Sequence, residues 1–269
     1  MFRAISAVLF FTFLQMIPTL GWATSDAEAI NLAGRQRMLS QQMMKNHLLL
    51  AANIKTDKAE KQLDSAIAAF EEQFLVLQEY TPSKDIKGKL EKVESLWLPH
   101  RQKLVATHDR QALPKLLKEN LALLSACDEL VKAIEKKTGT KSAKVINTSG
   151  RQRMLSQKIA KIYVAMYLKV ESDSLKQEFN EAIALFDQSQ TELEQYTGNT
   201  QALNIALQQV RNQWNFSRSG FSLENKGRYV PTVIAVTTDS ILSKMEHITL
   251  LYQEHMTQQT NIESKVGVR

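Results

Sequence analysis

Apolar positions recur every three or four residues along most of the chain. In one segment Ala66, Phe70, Phe74 and Leu77 place their side chains on a single face of a helix. The chain contains nine glycines and five prolines among 269 residues, which is well below the average use of roughly 7% and 5%. The helical spacing and the scarcity of chain breakers together predict an all-α protein.

Eight helices are predicted, and short breaker sequences separate them. Thr81-Pro82-Ser83 ends the second helix, and Thr138-Gly139-Thr140 interrupts the chain near its middle. In chain order, the predicted helices span about residues 26–53, 56–80, 83–107, 112–137, 144–169, 173–196, 200–216 and 230–255.

The first 23 residues have the pattern of a secretory signal peptide. Arg3 precedes an apolar run over residues 7–14, and Gly21-Trp22-Ala23 forms a small-residue cleavage site. Cleavage after Ala23 would start the mature chain at Thr24 and place it in the periplasm. The alternative is an uncleaved anchor, because apolar character extends loosely over residues 4–23 and a spanning helix needs about 20 residues.

The chain contains an internal repeat. The octamer Gly-Arg-Gln-Arg-Met-Leu-Ser-Gln at residues 34–41 recurs unchanged at residues 150–157, an offset of 116. Phe70 pairs with Phe186 at the same offset, and Trp97 pairs with Trp214 after one added residue. The duplication therefore covers nearly the whole mature chain and predicts two tandem units of four helices.

These observations predict two tandem up-down four-helix bundles, related by internal duplication, after a cleaved signal peptide. The first copy spans residues 24–143, the second spans residues 144–256, and a polar, loose tail covers residues 257–269.

Each octamer carries one arginine on a helix face that otherwise suits packing. Arg37 and Arg153 lie on this face, whereas Arg35 and Arg151 point about 160° away from them. If the two first helices face each other across a pseudo-two-fold axis, Arg37 and Arg153 meet in a partly dry crevice. Since an unpaired buried charge is costly, an anion between the two guanidinium groups would stabilise both of them.

A planar oxyanion matches the fork of a guanidinium group. Further residues of the octamer extend this predicted ligand site. Hydroxyl and amide groups supply donors, and glycines allow the helices to approach closely. The predicted ligand-binding set is Arg37, Arg153, Gly34, Gly150, Ser40, Ser156, Gln41 and Gln157.

The octamer, preceded by Ile-Asn-x-x, resembles the motif that opens the PilJ-type domain of type IV pili methyl-accepting chemotaxis transducers. It is similar in turn to the first-helix motif of nitrate/nitrite sensor kinases of the NarX type. The resemblance implies a periplasmic sensor bundle in which Arg37 and Arg153 hold a small anion. A second basic residue, usual five positions later, is Gln42 in the first copy and Lys158 in the second.

The residues also allow structural readings of the same positions. Arg37 and Arg153 are alternatively paired with a glutamate of the second helix of a copy, such as Glu72, Glu79 or Glu194. The histidines lack the Glu-x-x-His pattern of carboxylate metal bundles, and the single cysteine, Cys127, allows no internal disulfide or cysteine cluster. No metal site, no cofactor and no catalytic motif is therefore predicted.

The net charge of +6 comes from 34 basic and 28 acidic residues that are interleaved, so no nucleic-acid partner is predicted. We expect a non-enzymatic periplasmic module that recognises a nitrate- or nitrite-like anion and relays its bound state to a membrane-bound sensor kinase or chemoreceptor. One alternative is an envelope scaffold without a small ligand, and another is a redox or metal bundle. The sequence leaves open whether the chain also forms a homodimer.

Overall fold

The computed structural model describes residues 24–106, 109–172, 174–221 and 229–266, with side chains up to residue 258. All regular structure in these ranges is helical. The helices are α1 (Asp26–Ala51), α2 (Thr56–Glu79), α3 (Lys84–Leu104), α4 (Leu113–Thr138), α5 (Lys141–Tyr167), α6 (Leu175–Glu194), α7 (Gln201–Phe221) and α8 (Pro231–Val266). The all-α prediction is confirmed.

The predicted signal peptide at residues 1–23 lies outside the described residues. Within the described ranges, none of the helices combines the length and the apolar character that crossing a bilayer requires.

Polar caps and one glycine set the start of each copy. The hydroxyl of Ser25 accepts a hydrogen bond from the N–H of Glu28 at the start of α1, at 3.2 Å. Thr140 caps α5 in the same way, with the N–H of Ala143 at 3.1 Å. Gly139 ends α4 with a φ of 69°, a left-handed conformation that glycine adopts without a steric penalty. Only two residues, Gly139 and Thr140, therefore separate the end of α4 from the start of α5.

Helices α1 and α5 form the centre of the molecule. In the first copy α1 packs on α2 and α4, and α3 packs on α4. In the second copy α5 packs on α6 and α8, and α7 packs on α8. The most extensive contact between helices joins α1 to α5. The two four-helix units are thus joined along their first helices.

The direction of α1 relative to α5 follows from two contacts. Gly34 lies against Gly150, and further along α1 the ammonium group of Lys45 donates to Gln157 at 2.8 Å. The second contact lies closer than the first to the C-terminal end of both helices, so α1 and α5 run parallel. A parallel pair places equivalent residues of the two copies opposite each other, as a two-fold axis along the helices would.

The same aromatic contact fixes the second and third helices in both copies. Phe70 stacks on Trp97 with ring centroids 4.2 Å apart, and Phe186 stacks on Trp214 at 4.0 Å. All four side chains are buried, which agrees with the pairing predicted from the repeat. Such buried aromatic pairs contribute about 0.5–1.5 kcal/mol beyond the area they bury.

Part of the repeated octamer stabilises the bundle rather than a site. The side-chain amide of Gln36 donates to the backbone oxygen of Phe70 at 3.0 Å, and Gln152 donates to Phe186 at the same distance. Both glutamines are buried. This bond joins the first helix of each copy to its second helix, which explains why both copies have a glutamine at this position of the octamer.

The last helix is longer than the sequence pattern indicated. Helix α8 continues to Val266, whereas the prediction ended it near residue 255 and assigned residues 257–269 to a loose tail. No glycine or proline occurs between Pro231 and Gly267, so nothing interrupts the helix before that point. Polarity alone was therefore a poor indicator of the end of this helix.

Candidate functional site

Arg37 and Arg153 lie opposite each other where α1 crosses α5. Both side chains are fully buried, with 0% exposure, and they are among the largest buried groups of the described chain. Arg35 differs because its side chain is 33% exposed. The structure thus brings together the two arginines that the helical spacing predicted to meet, and it turns Arg35 outward.

Each buried arginine is paired with a carboxylate of its own copy. Arg37 Nη1 lies 2.6 Å from Asp128 Oδ1 on α4, and Arg153 Nη1 lies 2.8 Å from Glu246 Oε2 on α8. The second-helix glutamates considered from the sequence are not the partners, because the fourth helix of each copy supplies the carboxylate. Each guanidinium group therefore has a counter-ion within its own copy, without an added anion.

Each arginine also binds the other copy. Arg37 Nη2 donates to Asn147 on α5, at 2.7 Å to Oδ1 and 3.3 Å to the backbone oxygen. Arg153 Nη2 donates to Asn31 on α1 with the same two distances. Two equivalent sets of hydrogen bonds therefore cross the boundary between the copies.

Gly34 and Gly150 let the arginines and the two backbones approach. A Cβ atom at Gly34 would lie 3.3 Å from Arg153 Nη2 and 3.6 Å from Arg37 Nη2. At Gly150 it would lie 3.2 and 3.5 Å from the same two atoms. Both Nη2 groups thus converge on the space beside the two glycines, which any larger residue would partly fill.

Burial and charge act in opposite directions on these groups. Burial lowers the pKa of Arg37, and the charge of Asp128 opposes this effect. Burial lowers the pKa of Arg153 in the same way, with Glu246 opposing it and the positive charges of Arg35 and Arg37 adding to it. A guanidinium group stays protonated under all ordinary conditions, so the site contains two charged arginines.

Burial and the neighbouring positive charges also shift the pKa of Asp128. Burial acts to raise the pKa of Asp128, but the charges and hydrogen bonds of Arg37 and Lys132 together outweigh burial and hold that pKa below its usual value. The arginine Nε atoms remain without a described hydrogen-bond acceptor, since both Arg37 Nε and Arg153 Nε are buried and unpaired. The site therefore holds donor capacity that the described residues do not use.

Four residues of the predicted site do not face the arginines. Ser40 donates to the backbone oxygen of Arg37 at 2.8 Å, and Ser156 donates to that of Arg153 at 2.7 Å. Gln41 donates to Ser40 and to Asn120. The side chain of Gln157 donates to Ser156 and accepts from Lys45. These groups form a polar layer about one turn further along α1 and α5.

Sequence reasoning did not assign a role to Asp128, Glu246, Asn31 or Asn147. The two acids had a detectable signal, because they lie 118 positions apart within matching apolar patterns of the fourth helices. Leu124 and Cys127 precede Asp128 at the spacing with which Leu242 and Met245 precede Glu246. The asparagines recur at the offset of 116, but their contacts depend on how α1 crosses α5.

No group of three or more histidine, cysteine or carboxylate side chains in the described ranges is placed to hold a metal ion. The single cysteine, Cys127, is fully buried next to Arg37, and burial raises the pKa of its thiol to about 12. The thiol is therefore protonated and unreactive.

The fold and the arginine pair define a class: a duplicated helical bundle whose first helices enclose a buried, charged core. The family model described as the N-terminal domain of type IV pili methyl-accepting chemotaxis transducers, PilJ, matches residues 19–121 and 137–222. This match covers more than half of the chain, which therefore belongs to the PilJ family. Its two segments fall on the two copies, and the resemblance of the octamer to the PilJ-type motif is confirmed.

Comparison of the chain with curated proteins and with solved structures gave no match in either case.

Proposed function

We propose that this PilJ-family protein is a non-enzymatic periplasmic sensing module that binds a small planar oxyanion, nitrate or nitrite in type, between α1 and α5. The observation that carries the proposal is the convergence of two buried guanidinium groups on the space beside Gly34 and Gly150. Guanidinium donors bind planar oxyanions through paired, charge-assisted hydrogen bonds.

An anion would bind by replacing the asparagine oxygens as hydrogen-bond acceptors. Asn31 Oδ1 and Asn147 Oδ1 each accept a hydrogen bond from an Nη2 group at 2.7 Å. An oxyanion offers the same kind of acceptor with a full negative charge, and charged acceptors bind about twice as strongly as neutral ones. The ligand would therefore displace the two amide oxygens, and the carboxylates of Asp128 and Glu246 would stay on Nη1.

Displacing the asparagines would change the contact between the copies. The bonds from Arg37 to Asn147 and from Arg153 to Asn31 connect α1 to α5, and these helices contact α2, α4, α6 and α8. A change in the spacing of α1 and α5 is thus transmitted to the outer helices. A membrane-bound chemoreceptor or sensor kinase is the partner that would read this change. The arginine pair is complete within one chain, so a homodimer is not needed to form the site.

Isothermal titration calorimetry with nitrate, nitrite, chloride and sulfate tests the proposal. We expect saturable binding of a planar oxyanion and its loss in the Arg37→Lys, Arg153→Lys double variant, because lysine keeps the charge but lacks the planar fork. Arg35→Lys with Arg151→Lys is the matched control, since these residues belong to the same octamers and Arg35 points outward. Unchanged affinity in the Arg37, Arg153 variant contradicts the proposal.

A second candidate function is an envelope scaffold in which the α1–α5 contact is purely structural. The pairing of each arginine with its own carboxylate favours this reading, since the charged core is neutralised without a ligand. It predicts that the wild-type protein shows no heat of binding with any of these anions, and that a partner protein is retained by the Arg37→Lys, Arg153→Lys variant.

A further inference from the structure

Lys45 and Lys161 occupy equivalent positions of the two copies, 116 residues apart, but they have different partners. Both side chains are buried. Lys45 Nζ lies 2.5 Å from Asp239 Oδ1 and 2.8 Å from Gln157 Oε1. Lys161 Nζ donates to the amide oxygen of Asn120 at 3.2 Å, and within the described part of the chain no carboxylate lies at ion-pair distance from it.

The missing carboxylate has a defined place in the repeat. Asp239 on α8 corresponds to Leu121 on α4, at the offset of 118 that also relates Asp128 to Glu246. Asp239 also binds Lys58 at 3.0 Å and Gln62 at 3.0 Å. The counterparts of Lys58 and Gln62, at the offset of 116, are Ser174 and Glu178. Around Lys161, Leu121 thus stands in place of the aspartate, and Ser174 and Glu178 stand in place of its lysine and glutamine partners.

A cavity of about 260 Å³ lies where the carboxylate is missing. Lys161 lines it, together with charged residues from α4, from α6 and from the segment that precedes α6, and with apolar side chains. The residues that matter for recognition are Lys161, Lys118, Glu171, Glu178, Leu121 and Leu175. Drug-sized sites have volumes of about 300–1,000 Å³, so this cavity suits a smaller molecule. Leu121 is 43% exposed, although it is a large apolar side chain.

The surroundings of Lys161 favour a ligand with a negative charge. Burial lowers the pKa of Lys161 to about 7, the nearby charge of Lys158 adds to this effect, and Glu178 opposes it. The amide oxygen of Asn120 accepts from both Lys161 and Gln41, so it gives the ammonium group a neutral, shared acceptor in place of a carboxylate. A carboxylate placed at Lys161 would supply the charge that Asp239 supplies to Lys45.

The rest of the cavity selects among carboxylates. Glu178 and Glu171 would repel a second negative charge and attract an ammonium group, whereas Leu121 and Leu175 offer contacts to an alkyl group. We infer that this cavity binds a small aliphatic α-amino acid, with its carboxylate on Lys161, its ammonium group facing Glu178 and its side chain on Leu121 and Leu175. This site is separate from the arginine pair and does not depend on the proposed oxyanion function.

Calorimetry with L-leucine, 4-methylpentanoate and 3-methylbutylamine tests each part of the inference on the whole purified protein. These compounds share an alkyl group and differ in the charged groups they carry. We expect L-leucine to bind, and each analogue to bind more weakly by about tenfold or more, since one charged contact is lost in each case. Absence of leucine binding, or equal affinity for leucine and 4-methylpentanoate, overturns the assignment.

Two variants test the position of the site. Leu121→Asp restores the acid found at residue 239 and should pair with Lys161, so we expect it to abolish leucine binding and to raise thermal stability. Lys161→Met removes the ammonium group but keeps the length of the stem, and should also abolish binding. Leu98→Asp is the control, because Leu98 is 56% exposed on α3 and is not part of the cavity lining. Leucine binding that survives in Leu121→Asp and Lys161→Met overturns the inference. Nitrate binding is expected to be unchanged in both variants, which separates this test from that of the arginine pair.

Discussion

Arg153 reaches from the second copy to Asn31 in the first, with Nη2 2.7 Å from Oδ1 of the asparagine. The reciprocal bond joins Arg37 to Asn147 at the same distance. Because a buried charged donor that loses its acceptor is costly, these two bonds stabilise the arrangement of the copies as well as the arginines themselves.

Removing either asparagine should therefore destabilise the protein by a similar amount. We expect Asn31→Ala and Asn147→Ala each to lower the free energy of unfolding by about 1–3 kcal/mol. Urea denaturation followed by circular dichroism measures the effect. Asn204→Ala, at an exposed position of α7, is the control and should change stability by less than about 0.5 kcal/mol. A large loss in only one of the two asparagine variants would contradict the equivalence of the two bonds.

Substituting the two central glycines should have the opposite sign to substituting an exposed glycine. Alanine normally stabilises a helix interior relative to glycine by roughly 0.5–1 kcal/mol. At Gly34 and Gly150 the new Cβ would lie 3.3 and 3.2 Å from Arg153 Nη2, so the buried arginine must shift and strain its ion pair. We expect Gly34→Ala and Gly150→Ala to lower the melting temperature.

Gly88 provides the matched control, since a Cβ there would meet no atom within 4 Å. Gly88→Ala should raise the melting temperature in the same assay. A stabilising effect at Gly34 or Gly150 would show that the buried arginine side chains move aside at little cost. The close approach of α1 and α5 would then not require glycine at these two positions.

Neutralising the carboxylate partners should change stability and anion affinity in opposite directions. Asp128→Asn leaves Arg37 with an uncompensated buried charge, and breaking a buried pair in this way costs about 3–5 kcal/mol. The same change adds one positive charge to the site, so we expect tighter oxyanion binding in calorimetry. Glu246→Gln should behave alike at Arg153. Weaker oxyanion binding in both variants would mean that the carboxylates position the guanidinium groups for the ligand.

The buried histidine of α3 should make the protein sensitive to mild acid. Burial lowers the pKa of His100 to about 4, with Glu119 opposing and the nearby charges of Lys103 and Lys161 adding to it. Between that value and the ordinary value of 6.5, the unfolded chain binds more protons than the folded one. Stability should therefore fall as pH falls from 6.5 to 4, by roughly 2 kcal/mol.

The His100→Gln variant removes this titration. We expect a flatter dependence of the free energy of unfolding on pH between 6.5 and 4 in the variant than in the wild type. Carboxylates such as Asp128, whose pKa is lowered from 3.8, contribute mainly below about pH 5, and that contribution is the same in both proteins. Identical pH profiles for the two proteins would mean that His100 is accessible to protons in the folded state.

The sequence was sufficient to predict the fold because the apolar spacing of each helix is a local pattern, and the internal repeat shows that pattern twice. Helical spacing placed Phe70, and the repeat paired it with Phe186 as it paired Trp97 with Trp214. Both stacks occur in the structure. The meeting of Arg37 and Arg153 was also predictable, since a symmetric contact of two identical segments brings equal residues together.

The partners of the arginines were harder to predict because they depend on packing angles. Whether Arg37 binds a carboxylate of the second helix or Asp128 of the fourth depends on the rotation of α4 against α1, which no local pattern encodes. The orientation of the Ser40 and Gln41 side chains depends in the same way on their hydrogen-bond partners, the backbone oxygen of Arg37 and the side chain of Asn120. Side chains on a buried helix point back toward its N-terminus, and this carries the guanidinium groups away from Ser40 and Ser156.

The short connection at Gly139 and Thr140 has an evolutionary consequence. In a protein assembled from two identical subunits, every mutation appears in both subunits, because one gene encodes them. Here the halves are covalently linked in a fixed one-to-one ratio at any dilution, and each half mutates alone. The contrast between Asp239 and Leu121, or between Asn46 and Ile162, shows that such divergence has occurred while the octamers stayed identical.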